Sequence, residues 1–297
     1  MRRVLISIAV LLAAAAFIAG GWYGLRWFET RRADALLEDA NAHIHSADDL
    51  MARMQTDRLG RDSFTSIDNI NRAAAALQEM KPLLGEAASD VQDAQDDVSA
   101  AAGLRLIDDS YRAYLGKKEE AADLRRQQLD TLASLVDRLD QLYAVGPTVF
   151  NSVQEMDRLL GQMQTSMSQV QSSPQSAGPS LQQISASFTQ LQNQLDQSYA
   201  QSNLQLISEL SKSAADNAGL ASLGAQLADA AGAGDQAKAQ QIASQMEEKL
   251  MAISAGGDPL EPWWRSQVDP LQNQFSDLQT QQVSLDAEAA SLYDAIK

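Results

Sequence analysis

Residue types that commonly perform chemistry are few in this sequence. His43 and His45 are the only two histidines, and cysteine is absent. On a helix, side chains two positions apart point roughly 200° away from each other, so these histidines cannot bind one metal ion by themselves. Ser46 and Asp49 are typical of a local capping arrangement rather than of a ligand set. We therefore expect no metal and no other cofactor; a metal-binding or pH-sensing role of the histidines is the less favoured alternative.

Sequence patterns of enzymes are also missing. The chain contains no P-loop, dinucleotide-binding fingerprint, HExxH motif or EF-hand loop. No serine stands three residues before a lysine, and no nucleophile-elbow sequence is present. Carboxylates are numerous but scattered, so that no pair stands out as a general acid and base. We predict that the protein is not an enzyme.

Two adjacent tryptophans could instead bind another protein. Trp263 and Trp264 stand side by side, bracketed by prolines. Tryptophan is enriched at the energetic centres of protein interfaces, so the pair could form an exposed recognition surface. Packing at the end of a helical bundle, beneath a loop, is the favoured interpretation.

Lys118 and Arg125 form a second pair with this potential. They are one heptad apart and occupy positions at which the apolar repeat of their helix predicts apolar residues. Charged groups there could bind a partner, although exposure to solvent or cover by aliphatic stems is the commoner explanation. Together with the two tryptophans, they are our candidate protein-interaction residues.

An apolar segment, residues 4–25, precedes all of these candidates. As a helix it would extend roughly 33 Å, which is enough to cross the core of a bilayer. Tryptophan and tyrosine cluster at its far end, where such rings favour the level of the lipid headgroups. A cleaved signal peptide ending near Ala14–Ala16 is the alternative, but the segment is longer than a usual signal-peptide core. We predict a retained transmembrane anchor with its juxtamembrane segment over residues 1–32.

Flanking charges leave the orientation of this anchor open. Arg2 and Arg3 precede the apolar segment, and Arg26, Arg31 and Arg32 follow it. The positive-inside rule therefore does not choose a side clearly. A short basic start usually stays in the cytoplasm, and long domains can be translocated despite flanking charge. We expect a single-pass protein of the cell membrane whose bulk is extracytoplasmic.

Charge is distributed very unevenly along the chain. The formal net charge is −16, whereas residues 1–32 carry five arginines and one glutamate, so the remainder carries −20. A domain this acidic repels phosphate backbones and anionic lipid surfaces, and we expect no nucleic-acid partner. The acidic groups are expected mainly to solvate helix surfaces.

Apolar residues recur at alternating three- and four-residue steps through most of the chain after the anchor. We call each such series a seam; the clearest seams span residues 33–54, 84–101, 149–170, 181–195 and 268–296. Narrow seams are typical of coiled coils and slender helical bundles. The predicted fold is therefore all-α: an N-terminal transmembrane helix followed by an elongated antiparallel helical bundle or coiled-coil-like domain.

Glycine and proline predict where these helices end. Pro82 should kink or split a helix, and Gly103 should separate two of them. A loop is expected at residues 174–179, followed by a capping box at Ser180 and Gln183, and a turn is expected at residues 230–235.

The clearest central break is Gly146-Pro147, because glycine can end one helix and proline can begin the next. We therefore predict two helical halves after the anchor, residues 33–145 and residues 146–297. Short connections between long helices predict antiparallel neighbours.

These features predict a scaffold or adaptor of the cell envelope that binds other proteins or its own copies along helix seams. A sensory or ligand-binding helical ectodomain is the alternative, since bacterial receptors resemble this anchor-plus-bundle architecture. The sequence contains no second apolar span, so such a receptor would signal through a membrane partner.

Overall fold

The computed structural model describes residues 2–54, 59–254 and 260–296, with side chains described from Tyr23 onward except at positions 252 and 254. Within these residues the regular secondary structure is all helical, without a β-strand, which confirms the predicted all-α class. The α-helices are α1 (Arg2–Arg53), α2 (Ile67–Ala102), α3 (Asp109–Ser168), α4 (Pro174–Ser202), α5 (Gln205–Gly232), α6 (Gln236–Ser254), α7 (Leu260–Gln267) and α8 (Asp269–Ile296). A short 3₁₀ helix, Arg61–Thr65, precedes α2.

The predicted membrane span falls mainly outside the described side chains. Only its last three positions, Tyr23 to Leu25, lie within them. In the part of the chain that the structure describes, no helix combines the length and the apolar character needed to cross a bilayer.

The chain forms two compact units. Unit 1 comprises Met1–Thr56, Gln78–Leu135 and Leu271–Lys297, and unit 2 comprises Asp57–Leu77 and Val136–Pro270. Helices α2 and α3 each contribute to both units. This grouping differs from the predicted halves, because α8 belongs with the N-terminal helices and not with its neighbours in sequence.

Unit 1 has a core of small side chains from α1 and α2 that packs against α3 and α8. Its buried cluster consists of Ala33, Leu37, Ala40, Ala94, Val98, Ala101, Ile107, Tyr111, Tyr114, Leu115 and Ala289. Alanine at so many contact positions lets helix axes approach closely. The cluster contains residues of the 33–54 and 84–101 seams, so these two seams are confirmed as core-facing.

Unit 2 is built around the pair of α4 and α5. Leu181, Phe188 and Leu195 of α4 are completely buried, which confirms the 181–195 seam. Helix α5 is rich in alanine and packs tightly: a Cβ atom on Gly224 would lie only 2.6 Å from Met167 Sδ. Helix α6 packs on α5, and α7 also contacts α5.

The predicted break at Gly146-Pro147 is wrong. Helix α3 continues through both residues, and α2 likewise continues through Pro82. Gly146 has a different purpose: a Cβ atom there would lie 2.6 Å from Ile70 Cγ2. Because the glycine allows Ile70 to approach the helix backbone, it serves packing in unit 2 and does not end the helix.

The predicted loop at residues 174–179 is also wrong. These residues form the first turns of α4, with Ser173 at the N-cap and Pro174 at the start, a position where the missing N–H of proline has no cost. Ser180 donates to the carbonyl of Ser176 and does not form the expected cap. The turn predicted at residues 230–235 is confirmed in part: α5 continues to Gly232, and the chain turns between Gly232 and Gln236, with Gly234 at φ +72°.

Candidate functional site

Three polar pairs join α1 to α3 in unit 1 at intervals of one heptad. The distances are 2.6 Å from Tyr111 Oη to Asp34 Oδ1, 3.0 Å from Lys118 Nζ to Asn41 Oδ1 and 3.4 Å from Arg125 Nε to Asp48 Oδ1. In each pair the partners are 77 positions apart. We call these six residues the polar ladder. Because the offset is constant while both numbers increase, α1 and α3 run parallel and in register along it.

Arg125 is the buried end of the polar ladder. Its side chain is only 8% exposed, and Nη2 lies 3.0 Å from Asp286 Oδ2 of α8 in addition to its contact with Asp48. The amide oxygen of Gln282, in the orientation that matches its neighbours, accepts from Arg125 Nη2 over 2.7 Å. The guanidinium group therefore ties three helices of unit 1 together, and its donors have the partners that a buried charge requires.

Lys118 is more accessible than Arg125 but still partly enclosed. Its ammonium group donates to Asn41 and lies 6.0 Å from the centre of the Tyr114 ring. Burial lowers the pKa of Lys118, because the charged form loses hydration. Neighbouring Lys117 forms an ion pair with Glu288 of α8 at 3.2 Å. This is a second ion pair between α3 and α8, in addition to that of Arg125 with Asp286.

Tyr111 completes the polar ladder at the end nearer the start of α3. Its hydroxyl donates to Asp34, while its ring meets the Tyr114 ring edge-on at 6.0 Å. Burial, together with the hydrogen bond to the Asp34 carboxylate, raises the pKa of Tyr111 well above its ordinary value. The neutral phenol is thus a fixed donor near neutral pH.

The two candidate tryptophans lie in the other unit. Trp263 and Trp264 are 6% and 7% exposed in α7, so both indoles are packed inside unit 2. Glu261, in the same helix, forms ion pairs with Arg265 and with Arg61. The structure therefore does not bring the tryptophans together with Lys118 and Arg125, and the interaction role of all four residues stays a prediction.

Donor atoms that could hold a metal ion come together once among the described residues. His43 of α1 and Asp90 and Asp93 of α2 each offer one ligand atom, and these atoms lie within 4.8 Å of one another. His43 Nδ1 is 3.9 Å from Asp90 Oδ1, whereas His45 faces Asp49. Three partly exposed donors provide fewer ligands than a closed structural metal site.

A polar cleft of about 560 Å³ lies between α3 and α4 in unit 2. Its lining includes Arg158, Gln162, Thr165, Ser180 and Gln183. Arg158 donates to Glu155 at 2.5 and 2.7 Å, and these hydrogen bonds hold the pKa of Glu155 below its ordinary value. Hydroxyl and amide groups with one cation suit a polar small molecule.

Two of the six residues of the polar ladder were candidates from the sequence, and the other four were not. Lys118 and Arg125 were visible as charges at apolar positions, and Gln282 interrupts the last seam in the same way. The missing signal was the heptad spacing of Asp34, Asn41 and Asp48. Comparisons of the chain with protein-family models, with curated proteins and with solved structures found no match.

Proposed function

We propose that the protein is a single-pass, membrane-anchored helical bundle that acts outside the cytoplasm as a scaffold or adaptor for other envelope proteins. The observation that carries this proposal is the continuity of α1 from Arg2 to Arg53. The sequence of its first part is the apolar segment, and its second part supplies Ala33, Leu37 and Ala40 to the core of unit 1. A span joined to the bundle by one helix would hold unit 1 at the membrane without a flexible linker.

Exposed seam residues support a role in binding other helices. On α3, Val153 is 38% exposed and Leu160 is 36% exposed, although both belong to the 149–170 seam. They are one heptad apart and therefore on the same face of the helix. Helix-on-helix association at this face would bury them.

Cysteine labelling tests the membrane part of this proposal, because the native chain has no cysteine. Ser176→Cys places a thiol on the exposed start of α4, and Ser7→Cys places one within the apolar segment. Treating intact cells with a membrane-impermeant maleimide should label position 176 and not position 7, with the protein in the membrane fraction. Labelling of position 176 only after lysis would reverse the orientation, and recovery in the soluble fraction would rule out the anchor.

Photo-crosslinking tests the binding part. A photoreactive residue at Leu160 should crosslink to a protein in intact cells, whereas one at Gln154, on a different exposed face of α3, should not. Crosslinks only between copies of the chain would identify a homo-oligomer. Equal, weak crosslinking at both positions would contradict association through this seam.

A ligand-binding ectodomain is the second candidate, favoured by the polar cleft between α3 and α4. A bound ligand would raise the unfolding temperature of the protein by mass action. The rise should disappear in Arg158→Ala and persist in Arg138→Ala, which removes a guanidinium that does not line the cleft. Absence of any rise across a panel of polar small molecules would favour the scaffold.

A further inference from the structure

The loop between α2 and α3 is bonded to α1 directly after the predicted membrane span. The N–H of Leu106 donates to Glu29 Oε2 over 2.6 Å, and Arg26 Nη2 lies 2.5 Å from Asp108 Oδ2. Glu29 is four residues beyond Leu25, which corresponds to about 6 Å along a helix. The loop, residues 103–108, therefore lies about one helical turn from the end of the apolar segment.

Large apolar side chains of α1 itself are exposed at this level. Tyr23, Leu25, Trp27 and Phe28 are each at least 59% exposed. Neighbouring positions on a helix point in different directions, so that apolar surface is exposed on several sides. From Ala33 onward α1 has a buried face, and Ala33 itself is 0% exposed. Exposed aromatic rings next to an apolar segment are typical of the headgroup level of a membrane.

Positive charge at the same level is left without carboxylate partners. Arg31, Arg32 and Arg105 are exposed, and within the described residues none of them forms an ion pair; Arg31 lies 4.5 Å above the ring of Trp27. Two of the nearby acidic groups are already engaged, because Glu29 accepts from the loop and Asp108 pairs with Arg26. These three arginines thus form a cationic surface on a chain whose net charge is −16.

We infer that this surface, formed by Arg31, Arg32 and Arg105 with the loop, docks on anionic phospholipid headgroups and fixes unit 1 against the bilayer. The inference rests on the proposed membrane anchor and adds a second, electrostatic contact to it. Lipid is the partner that the geometry favours, since the guanidinium groups lie within reach of the bilayer surface that α1 would cross. Each arginine near an anionic surface changes a docking equilibrium by about fivefold.

Site-specific quenching tests this contact in the full chain. Gly103→Cys places a reporter in the loop, where a new Cβ atom would make only ordinary contacts at 3.5 Å. Ser89→Cys is the matched control on exposed α2 of the same unit, about 20 Å before the loop along the helix. Each variant carries an environment-sensitive dye and is reconstituted in phosphatidylcholine nanodiscs with or without phosphatidylglycerol, with a nitroxide quencher on the headgroups.

Quenching at position 103 should exceed that at position 89 and should increase with phosphatidylglycerol. Arg105→Gln should lower the docking equilibrium about fivefold. Arg126→Gln should change it little, because Arg126 is exposed in α3 about 27 Å beyond the loop along the helix, well outside the Debye length over which the headgroup charge acts. Circular dichroism of each variant confirms that the fold is intact.

A third reporter separates failure of the docking surface from failure of the anchor. Tyr23→Cys lies at the predicted end of the span and should be quenched in every anchored sample. Quenching at position 23 without quenching at position 103 would overturn the docking contact and keep the anchor. Quenching at position 103 that depends on neither phosphatidylglycerol nor Arg105 would overturn the role of the arginines. No quenching at either position would overturn the membrane anchor itself.

Discussion

Arg125 of α3 and Asp48 of α1 are 77 positions apart in the chain and 3.4 Å apart in unit 1. Lys118 with Asn41 and Tyr111 with Asp34 repeat that offset in the two preceding heptads. Apolar heptads alone would tolerate a shift of one helix past another, because every rung of an apolar seam is similar. Three different polar pairs in sequence are matched in only one register, which is a recognised use of polar groups in coiled coils.

Removing the Arg125 charge should destabilise unit 1. Arg125→Met keeps much of the side-chain volume but leaves Asp48 and Asp286 without their shared cation. Since these carboxylates are 42% and 37% exposed, water compensates partly, and we expect a loss of about 1–2 kcal/mol in the free energy of unfolding. Chemical denaturation followed by circular dichroism measures this loss.

Arg126→Met provides the matched control for that substitution. Arg126 is exposed and adjacent in sequence, so its replacement should change the stability by less than about 0.5 kcal/mol. An increase in stability for Arg125→Met would mean that the desolvation of Arg125 costs more free energy than its ion pairs with Asp48 and Asp286 contribute. In that case the polar ladder would serve register alone.

Tyr111 should make unit 1 sensitive to alkali. Its folded-state pKa is raised above the ordinary value of 10.0, mainly by burial and then by Asp34. The stability that Tyr111 contributes to the folded state is therefore fully present below about pH 10. It is lost at higher pH, where the unfolded chain releases the phenol proton and the folded chain retains it. Tyr111→Phe should lower the free energy of unfolding by about 1 kcal/mol near neutral pH. Above about pH 10, the free energy of unfolding of this variant should decline less steeply than that of the native chain.

Unfolding midpoints measured from about pH 8 to about pH 11 test this pH dependence. Tyr199→Phe, which removes a partly exposed hydroxyl in unit 2, is the control and should follow the native curve. The pKa of Tyr114 is also raised, chiefly by burial, so the stability of Tyr111→Phe should still decline to some extent as the pH rises. Identical slopes for the native chain and Tyr111→Phe would contradict the assignment.

Much of the fold could be predicted from the periodicity of the sequence, but the arrangement of helices could not. The seam from Leu181 to Leu195 is buried as expected, because a regular apolar repeat identifies the inner face of a helix without reference to its neighbours. Which faces meet is a separate question. Nothing in the local sequence of Asp48 indicates that Arg125 is its partner, or that α8 belongs to unit 1.

Gly146 shows a second limit of sequence reasoning. Next to Pro147 it has the appearance of a helix terminator, whereas in unit 2 it provides space for Ile70. The low helix propensity of glycine predicts the end of a helix here, whereas packing against Ile70 of α2 favours a glycine within the helix. The local sequence does not contain the information about this contact. The N-terminal anchor remains a prediction from hydropathy, because the side chains that would test it lie outside the described residues.

Adding a methyl group at Gly146 should therefore be harmful. Gly146→Ala gains helix propensity of about 1 kcal/mol but forces a Cβ atom to 2.6 Å from Ile70 Cγ2, and we expect a net loss of about 1–2 kcal/mol. Gly161→Ala, in the same helix and unit, meets nothing within 4 Å and should stabilise by about 0.5–1 kcal/mol. Thermal unfolding of the two variants in parallel compares them directly.

The double variant Gly146→Ala with Ile70→Ala identifies the cause of any loss. Removing the Ile70 side chain creates room for the new methyl group, so the two substitutions should cost less together than the sum of their separate effects. Strict additivity would mean that Ile70 is not the obstacle, and the explanation of Gly146 as a packing residue would fail.

The two tryptophans should matter for folding before they matter for binding. Trp263 and Trp264 are buried in α7, and truncation of a buried tryptophan usually costs about 3–5 kcal/mol. Trp263→Ala and Trp264→Ala should each lower the free energy of unfolding by about 3 kcal/mol, whereas Tyr199→Ala, at a partly exposed ring in the same unit, should cost less than about 1 kcal/mol.

With Trp22 and Trp27 replaced by phenylalanine, the remaining tryptophan fluorescence should resist quenching by iodide. Strong iodide quenching with unchanged stability would instead identify an exposed recognition surface, and loss of crosslinked partners in these variants would then report binding directly.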